Sequence, residues 1–178
     1  MIEENIKELK EYSDFLKVFK VFMDEPFYEA WTEEEMLEEF KSYENNNGII
    51  FGLYNEENIK GLITLVYKSI ESHPVKFANS QDIVYLSDVA TLKETRKKGV
   101  GTKLTIHALD YLRSLNKFKY IYTRTNVVGS YSIGIFKKQG FEVIRDEKGN
   151  IITQWISFPR VREDIPEQDE RLFLIKKL

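Results

Sequence analysis

Residues 95–104 read TRKKGVGTKL, in which two glycines follow a run of basic residues. The stretch lies between DIVYLSDVATL at 82–92, which is rich in β-branched residues, and a segment whose apolar residues recur at helical spacing. The apolar stripe of the second segment consists of Leu104, Ala108, Tyr111, Leu112 and Leu115. The pattern predicts a strand, a glycine turn and a helix in direct succession.

Two common phosphate-binding patterns do not fit this turn. A P-loop requires Gly-Lys-Ser/Thr after its spacer, but here Gly101 is followed by Thr102. A dinucleotide fingerprint needs a third glycine three positions after the second, and that position is Leu104. What remains is the pattern Arg96-x-x-Gly99-x-Gly101-Thr102 between a strand and a helix.

The physical properties of such a turn favour an anion. Glycine lets the backbone approach a ligand closely, and the first N–H groups of a helix have no partners within the helix. The helix dipole makes this end positive, so a pyrophosphate fits there. Arg96, Lys97 and Lys98 add charge, and Thr102 offers a hydroxyl. The alternative is a basic turn that only caps the helix.

Hydrophobic patterns elsewhere predict the other elements. NIKELKEY at 5–12 predicts a short strand, 13–24 an amphipathic helix, and Thr32 with Glu35 a capping box that opens a second helix. Residues 48–68 predict a hairpin of two strands. Further segments predict the last elements, namely a strand in FKYIYTRT, a short helix in GSYSIGIFKKQG, and strands in FEVIR, NIITQWISF and RLFLIKKL. The order indicates an α+β sheet that is partly antiparallel and flanked by helices.

The glycine turn resembles the acetyl-CoA-binding motif of the GCN5-related N-acetyltransferases (GNAT), Arg/Gln-x-x-Gly-x-Gly/Ala. Upstream, YLSDVATLKETRKKGVG resembles the family's fourth strand and the turn that follows it. Downstream, SYSIGIFKKQGFEVI resembles the family's second signature, a short helix that ends in Gly-Phe, here Gly140 and Phe141. The combined match spans residues 82–145.

The resemblance implies one domain over residues 1–178, with a GNAT-like mixed sheet whose central strands splay apart. Residues 1–80 would form helices and a hairpin on the acceptor side. Residues 82–145 would form the acetyl-CoA-binding core, and 146–178 the C-terminal strands. A homodimer through the edge of this strand-rich tail is one arrangement that the tail would support.

The resemblance also implies which residues contact acetyl-CoA. The family pairs the pantetheine arm with the exposed backbone of its fourth strand and holds the pyrophosphate on the N–H groups of the glycine turn. The implied contacts are Val89, Ala90 and Thr91 for the arm, and Arg96, Lys97, Lys98, Gly99, Val100, Gly101 and Thr102 for the pyrophosphate. Gly129 replaces the asparagine usual at the start of the second-signature helix, and Asn126 stands close enough to substitute.

The catalytic groups are less well marked. The tyrosine that protonates the leaving thiolate in many members is replaced here by Phe136, so we expect Tyr131 to be the nearest candidate acid. For the base, Asp88 lies on the predicted fourth strand, with Asp82 at its start as a weaker candidate. Adjacent strand residues face opposite ways, so Asp88 and Val89 cannot both point at the ligand. The alternatives are a packing or surface tyrosine and a solvated aspartate.

Composition bounds the class of protein. The chain has 178 residues and a formal net charge of −3, so nonspecific binding of nucleic acid is not expected. It has no cysteine, which excludes thiol nucleophiles and cysteine-bound zinc, and its two histidines, His73 and His107, cannot alone form a metal site. We expect no metal. The polar N-terminus and the lack of a long apolar run predict a cytoplasmic protein without a membrane partner.

Three functions fit these observations. The first is an N-acetyltransferase that transfers acetyl from acetyl-CoA to a primary amine of a small molecule or peptide. The second is a non-catalytic module of the same fold that binds or senses acyl-CoA, and the third is a plain interaction domain. The acceptor stays open among antibiotics, polyamines, amino acids, protein N-termini and lysine side chains. DEPFYEAW at 24–31 mixes aromatic and acidic residues that either bind an ammonium group or pack beside a helix.

Overall fold

The computed structural model describes residues 4–24, 32–127, 132–157 and 168–178. Its helices are α1 (Tyr12–Phe19), α2 (Glu33–Ser42), α3 (Val100–Leu115) and α4 (Ser132–Lys138). Its strands are β1 (Glu4–Glu8), β2 (Gly48–Asn55), β3 (Asn58–Val66), β4 (Ile83–Thr91), β5 (Tyr120–Asn126), β6 (Glu142–Val143), β7 (Thr153–Ser157) and β8 (Gln168–Lys177). The predicted order of elements is confirmed, although FEVIR contributes a strand of two residues only.

The strands form one sheet in the order β1-β2-β3-β4-β5-β8-β6, and β7 pairs with β8. β4 and β5 run parallel, whereas the other adjacent strands run antiparallel. The pairing of β4 with β5 covers only Ile83–Leu86 of β4, which lie opposite Tyr120–Thr123 of β5. Beyond this point each strand continues beside its other neighbour, so the two splay apart. The predicted α+β fold with splayed central strands is thereby confirmed.

Helices cover both faces of the sheet. On one face, α3 and α4 pack on the strands through Val100, Leu104, Ala108, Leu109, Leu112 and Phe136. On the other, α1 and α2 pack through Phe15, Val18, Phe19, Met36 and Phe40. The segment 67–82 extends this second layer through Val75, which packs on Tyr85, Tyr122 and Phe173. The splayed strands therefore lie between two layers of different elements.

A β-bulge in β4 decides which residues face which layer. Thr64 of β3 lies opposite Asp88, whereas the next residue, Leu65, lies opposite Leu86, so Ser87 is an extra residue. Before the bulge, Leu86 belongs to the core under α3, and after it Ala90 belongs to the core under α1 and α2. Because side chains alternate along a strand, Asp88 shares the face of Ala90.

The capping box predicted for α2 is present. The Thr32 hydroxyl accepts a hydrogen bond from the Glu35 N–H at 3.2 Å, and the Glu35 carboxylate accepts one from the Thr32 N–H at 2.7 Å. These bonds satisfy two groups that a helix start leaves without partners. At its other end α2 continues into one wide π turn, Tyr43–Asn47, before β2 begins. That turn buries the Tyr43 ring beneath β3 and β4.

Candidate active site

A cleft of about 860 Å³ opens between the splayed ends of β4 and β5. Eleven of the residues predicted for the site line it, namely Asp88, Val89, Ala90, Thr91, Arg96, Lys97, Gly99, Val100, Gly101, Thr102 and Asn126. The side chain of Lys98 lies outside the lining, and Tyr131 lies outside the described residues. The fold thus brings the glycine turn, β4 and the end of β5 to one cavity.

The glycine turn has the conformation that its glycines allow. Gly99 has a φ of +80° and is the N-cap of α3, and Lys97 has a φ of +61°. The first helical bond joins the Lys103 N–H to the Gly99 carbonyl at 2.9 Å. Within the described residues, no group accepts a hydrogen bond from the N–H groups of Val100 or Gly101, or from that of the next residue, Thr102. These amides border the cleft and are available to an anion.

Because Gly101 has no side chain, the start of α3 lies close to its neighbours without filling the cleft. A Cβ atom at Gly101 would lie 3.2 Å from Cδ1 of Ile135 in α4 and 3.4 Å from Cγ1 of Val89 in β4. The start of α3 therefore approaches both elements closely. A side chain there would have to displace one of them. A Cβ atom at Gly99 would meet nothing within 4 Å, so glycine is required at that position for its φ angle and not for space.

The backbone of β4 offers an open edge to the cleft. Beyond the bulge, Val89, Ala90 and Thr91 pair with β3 on one side. On the other side, the pairing with β5 ends at Leu86, whereas β5 stays paired with β8 as far as Asn126. Backbone polar groups that lack a strand partner must find water or a ligand. An extended chain that carries amides can add to such an edge in the manner of an extra strand.

Asp88 lies across the splay from β5, on the face opposite α3. Its N–H donates to the Thr64 hydroxyl at 2.9 Å, and that hydroxyl donates to Asp88 Oδ2 at 3.2 Å. Burial raises the pKa of Asp88, while hydrogen bonds from Ser87 and Thr64 and the charges of Arg124 and Arg171 oppose the rise. Asp88 is half-buried and reaches the cleft, so it is not a fully solvated aspartate.

A second carboxylate faces Asp88 from α2. The Tyr43 hydroxyl donates to Glu39 Oε1 at 2.8 Å, and it lies next to Thr64, which contacts Asp88. Burial raises the pKa of Glu39, and the negative charge of Asp88 raises it further. The two carboxylates therefore belong to one polar cluster that also contains Tyr43 and Thr64. Glu39 and Tyr43 are four residues apart on a predicted helix, which is the only sequence signal for this pair.

Two arginines line the same face of the cleft, and sequence reasoning missed both. Arg171 is buried, pairs with Asp169 at 2.8 Å and donates to the amide oxygen of Asn126. Arg124 is half-buried, and its Nη1 donates to Oε1 of Gln154 at 3.2 Å. Arg171 could not be predicted, because no local sequence pattern indicates that the last strand inserts beside β5.

The remaining candidates lie apart from this cluster. Phe136 lines the cleft but is buried, with its ring centroid 5.3 Å from that of Phe141, and it has no proton to donate. Asp82 forms an ion pair with Lys119 at 2.5 Å and does not line the cleft. Within the described residues, no group of three His, Asp or Glu side chains is arranged to hold a metal ion. In the same part of the chain, no helix is long and apolar enough to cross a membrane.

Comparisons with known proteins identify the family and the fold. The profile of the acetyltransferase (GNAT) family matches residues 16–141. Zebrafish (Danio rerio) N-alpha-acetyltransferase 50 is 28% identical over 74 residues, which are 42% of this chain and only 44% of that protein. The chain thus spans less than half the length of this curated relative.

Solved structures match almost the whole chain. A GNAT acetyltransferase from Streptococcus pneumoniae superposes with a TM-score of 0.72 at 14% identity, covering 99% of this chain and 100% of that one. A Salmonella typhimurium acetyltransferase structure that contains acetyl-CoA gives 0.69 at 13% identity, covering 98% and 94%. At such low identity these matches support the fold. Together with the family profile, they show that this chain belongs to the acetyltransferase (GNAT) family.

Proposed function

We propose that the chain is an N-acetyltransferase that transfers an acetyl group from acetyl-CoA to a primary amine. One observation carries the proposal: a single cleft has on one side the first N–H groups of α3, to which no described residue bonds, and on the other the carboxylate of Asp88. The first group suits a pyrophosphate and the second suits an ammonium ion. The proposal includes a cytoplasmic location and a homodimer through the C-terminal strands.

The residues at the glycine turn fit coenzyme A. The N–H groups of Val100, Gly101 and Thr102 would receive the pyrophosphate, with Arg96 and Lys97 contributing positive charge. The open edge of β4 at 89–91 would receive the amides of the pantetheine arm. Lys98 would act through its backbone only, because its side chain lies outside the cleft.

Asp88 would accept a proton from the acceptor. A protonated amine cannot attack, and a carboxylate with a raised pKa is a better base near neutral pH than an exposed one. Acetyl-CoA, when bound, supplies the thioester carbonyl that the amine attacks. By holding the amine at the splay, the cleft also provides proximity, which accounts for much of the rate in such reactions.

The polar cluster around Asp88 gives the proton a route away from the amine. Thr64 bonds Asp88, Tyr43 lies beside Thr64, and Tyr43 bonds Glu39 on α2. Glu39 is half-buried and borders solvent. We propose that Glu39 exchanges protons with solvent and that Tyr43 and Thr64 keep Asp88 ready for the next turnover.

The acid that protonates the departing thiolate is a separate part of the proposal. Phe136 cannot serve, so Tyr131 stays the candidate. A Tyr131→Phe enzyme should have a lower kcat across its pH profile, because it lacks the hydroxyl proton that the thiolate would receive. An unchanged profile would remove Tyr131 from the mechanism and leave water as the donor.

Titration calorimetry with acetyl-CoA tests the coenzyme site. We expect Arg96→Gln to weaken binding about tenfold or more, since a charge-assisted hydrogen bond contributes roughly 1.5–3 kcal/mol. Lys98→Gln is the matched control, because it removes a neighbouring charge whose side chain does not line the cleft. If wild type shows no binding at millimolar acetyl-CoA, the proposal fails.

Release of free thiol from acetyl-CoA separates an enzyme from a non-catalytic acyl-CoA sensor. The sensor is favoured by Phe136 alone, which replaces the usual acid. The protein is tested with a panel of amines and peptides. Release of thiol in proportion to the amount of acetylated amine excludes a non-catalytic sensor. Tight coenzyme binding without turnover on any amine supports it.

A further inference from the structure

Arg124 occupies a special position at the splay of the two central strands. The last residues that pair β4 with β5 are Leu86 and Thr123, so Arg124 is the first residue of β5 beyond the pairing. Ser87 and Asp88 hold the equivalent place on β4. Neighbouring strands lie about 4.8 Å apart where they pair, so Arg124 and Asp88 begin the two walls of a narrow gap.

Both side chains face away from α3. Tyr122 belongs to the cluster on the face opposite α3, and Arg124 lies two residues further along the same strand. Asp88 shares the face of Ala90, which belongs to the core under α1 and α2. The positive charge of Arg124 is close enough to lower the pKa values of both Asp88 and His73.

The hydrogen-bond partner of Arg124 is a neutral side chain. Its side-chain hydrogen bond goes to a neutral amide oxygen, that of Gln154, and it forms no ion pair with a carboxylate of residues 4–24, 32–127, 132–157 or 168–178. The neighbouring Arg171, by contrast, is paired with Asp169. A half-buried guanidinium has lost part of its hydration, and a bound anion would compensate for that loss.

We infer that Arg124 binds an anionic group of the acceptor, which is therefore an amine that also carries a nearby carboxylate or phosphate. The inference rests on the proposed N-acetyltransferase function. The ammonium group lies at Asp88 and the anion at Arg124, on opposite walls of the gap. Arg96 and Lys97 do not compete for this anion, because they belong to the glycine turn at the start of α3. Polyamines and lysine side chains within proteins lack the second group.

Thiol release with matched pairs of acceptors tests the inference. One arm compares free amino acids with their methyl esters, and another compares aminoalkyl phosphates with the parent amino alcohols. We expect kcat/KM to favour the anionic member by about tenfold or more, since a charge-assisted hydrogen bond contributes roughly 1.5–3 kcal/mol. Comparison of the two arms identifies which anion is used.

Variants of Arg124 show whether that preference resides in this side chain. Arg124→Gln should lower kcat/KM more for the anionic acceptor than for the neutral one and so abolish the preference, while Arg124→Lys should retain part of it. The ratio is the readout because loss of Arg124 also changes the pKa of Asp88, which affects every acceptor. Arg145→Gln is the control, since Arg145 is exposed, bonds the Gly149 carbonyl and does not line the cleft.

Each outcome decides the matter. Equal use of neutral and anionic acceptors by wild type overturns the inference and leaves the proposed function intact. Equal loss for both acceptor types in Arg124→Gln also overturns it, because a structural role predicts that result. Absence of thiol release with every amine removes the proposed function and the inference together. If Arg124→Gln does not fold, the wild-type ratio and Arg124→Lys decide.

Discussion

Substitution distinguishes Asp88 from Asp82, the weaker candidate base, which lies in the turn before β4. We expect Asp88→Asn to lower kcat by roughly 10²–10⁴, the usual contribution of a general base, with little change in acetyl-CoA affinity. Asp82→Asn is the control, because Asp82 lies on the same stretch but pairs with Lys119 away from the cleft. Steady-state kinetics at saturating acetyl-CoA give the comparison, and equal losses in the two variants would rule out Asp88 as the base.

The hydroxyl of Thr64 should set the pH at which Asp88 becomes active. Burial raises the pKa of Asp88 and the Thr64 hydrogen bond lowers it, because that bond stabilises the charged form. Thr64→Val removes the bond with little change in shape, so the pKa rises and the acid limb of the kcat/KM profile moves to higher pH. At fixed neutral pH the variant is therefore slower, and its activity recovers as the pH is raised.

A control for this shift is available in the same cluster. Tyr43→Phe leaves the direct bond between Thr64 and Asp88 in place but cuts the link to Glu39. It should lower the rate at all pH values with little displacement of the acid limb. A Thr64→Val profile that coincides with that of wild type would show that Asp88 does not govern the acid limb.

The turn that opens α3 combines backbone strain with charge. Lys97 adopts a φ of +61°, a region that costs a residue with a side chain roughly 1–2 kcal/mol, whereas Lys98 has no positive φ. We expect Lys97→Gly to leave the free energy of unfolding unchanged or up to about 1 kcal/mol higher, because relief of strain offsets the added flexibility. Lys98→Gly should lower it by about 0.5–1 kcal/mol.

Lys97→Gly, which we expect to be the more stable of the two variants, should bind the coenzyme more weakly than Lys98→Gly. Lys97 lines the cleft and Lys98 does not, so Lys97→Gly should weaken acetyl-CoA binding more. Urea unfolding and titration calorimetry together measure the two effects. Lower stability of Lys97→Gly than of Lys98→Gly would show that the backbone at Lys97 is not strained. Equal binding of the coenzyme by the two variants would show that the Lys97 side chain does not contribute to that binding.

Local patterns predicted the elements well because their signals lie within a few residues. The glycine turn, the capping box of α2 and the hairpin of β2 and β3 each follow from short-range hydrogen bonds. The bulge at Ser87 could not be predicted, because it depends on the register of β4 against β3. Uninterrupted alternation would have placed Asp88 with Leu86, on the face that packs under α3.

Pairing between distant segments decided the parts of the site that the sequence did not reveal. Arg171 reaches the cleft because β8 inserts between β5 and β6, a choice made by the whole sheet. Glu39 meets Asp88 because α2 lies across β3 and β4. The coenzyme side of the site is thus built largely from one continuous segment, whereas the acceptor side is assembled from α2, β3, β4, β5 and β8. Only the first can be identified from local patterns.

Stability of the protein should depend on a buried histidine of the segment 67–82, His73. His73 is buried among the rings of Tyr85, Tyr122 and Phe173. The Tyr122 hydroxyl accepts a hydrogen bond from the Ile70 N–H at 2.8 Å and forms another with Nδ1 of His73 at 3.1 Å. Burial, with the nearby charge of Arg124, lowers the pKa of His73 from 6.5 to about 4.

The sign of the pH dependence follows from linkage. Between pH 6.5 and 4 the unfolded chain binds a proton at His73 that the folded chain does not bind, so the free energy of unfolding falls as the pH falls. The slope from one proton is at most about 1.4 kcal/mol per pH unit, and other carboxylates add a common background. His73→Asn retains an acceptor near the Nδ1 position without a titratable group. Urea unfolding at several pH values should therefore show a shallower fall for His73→Asn than for wild type, and parallel curves would mean that His73 is protonated equally in both states.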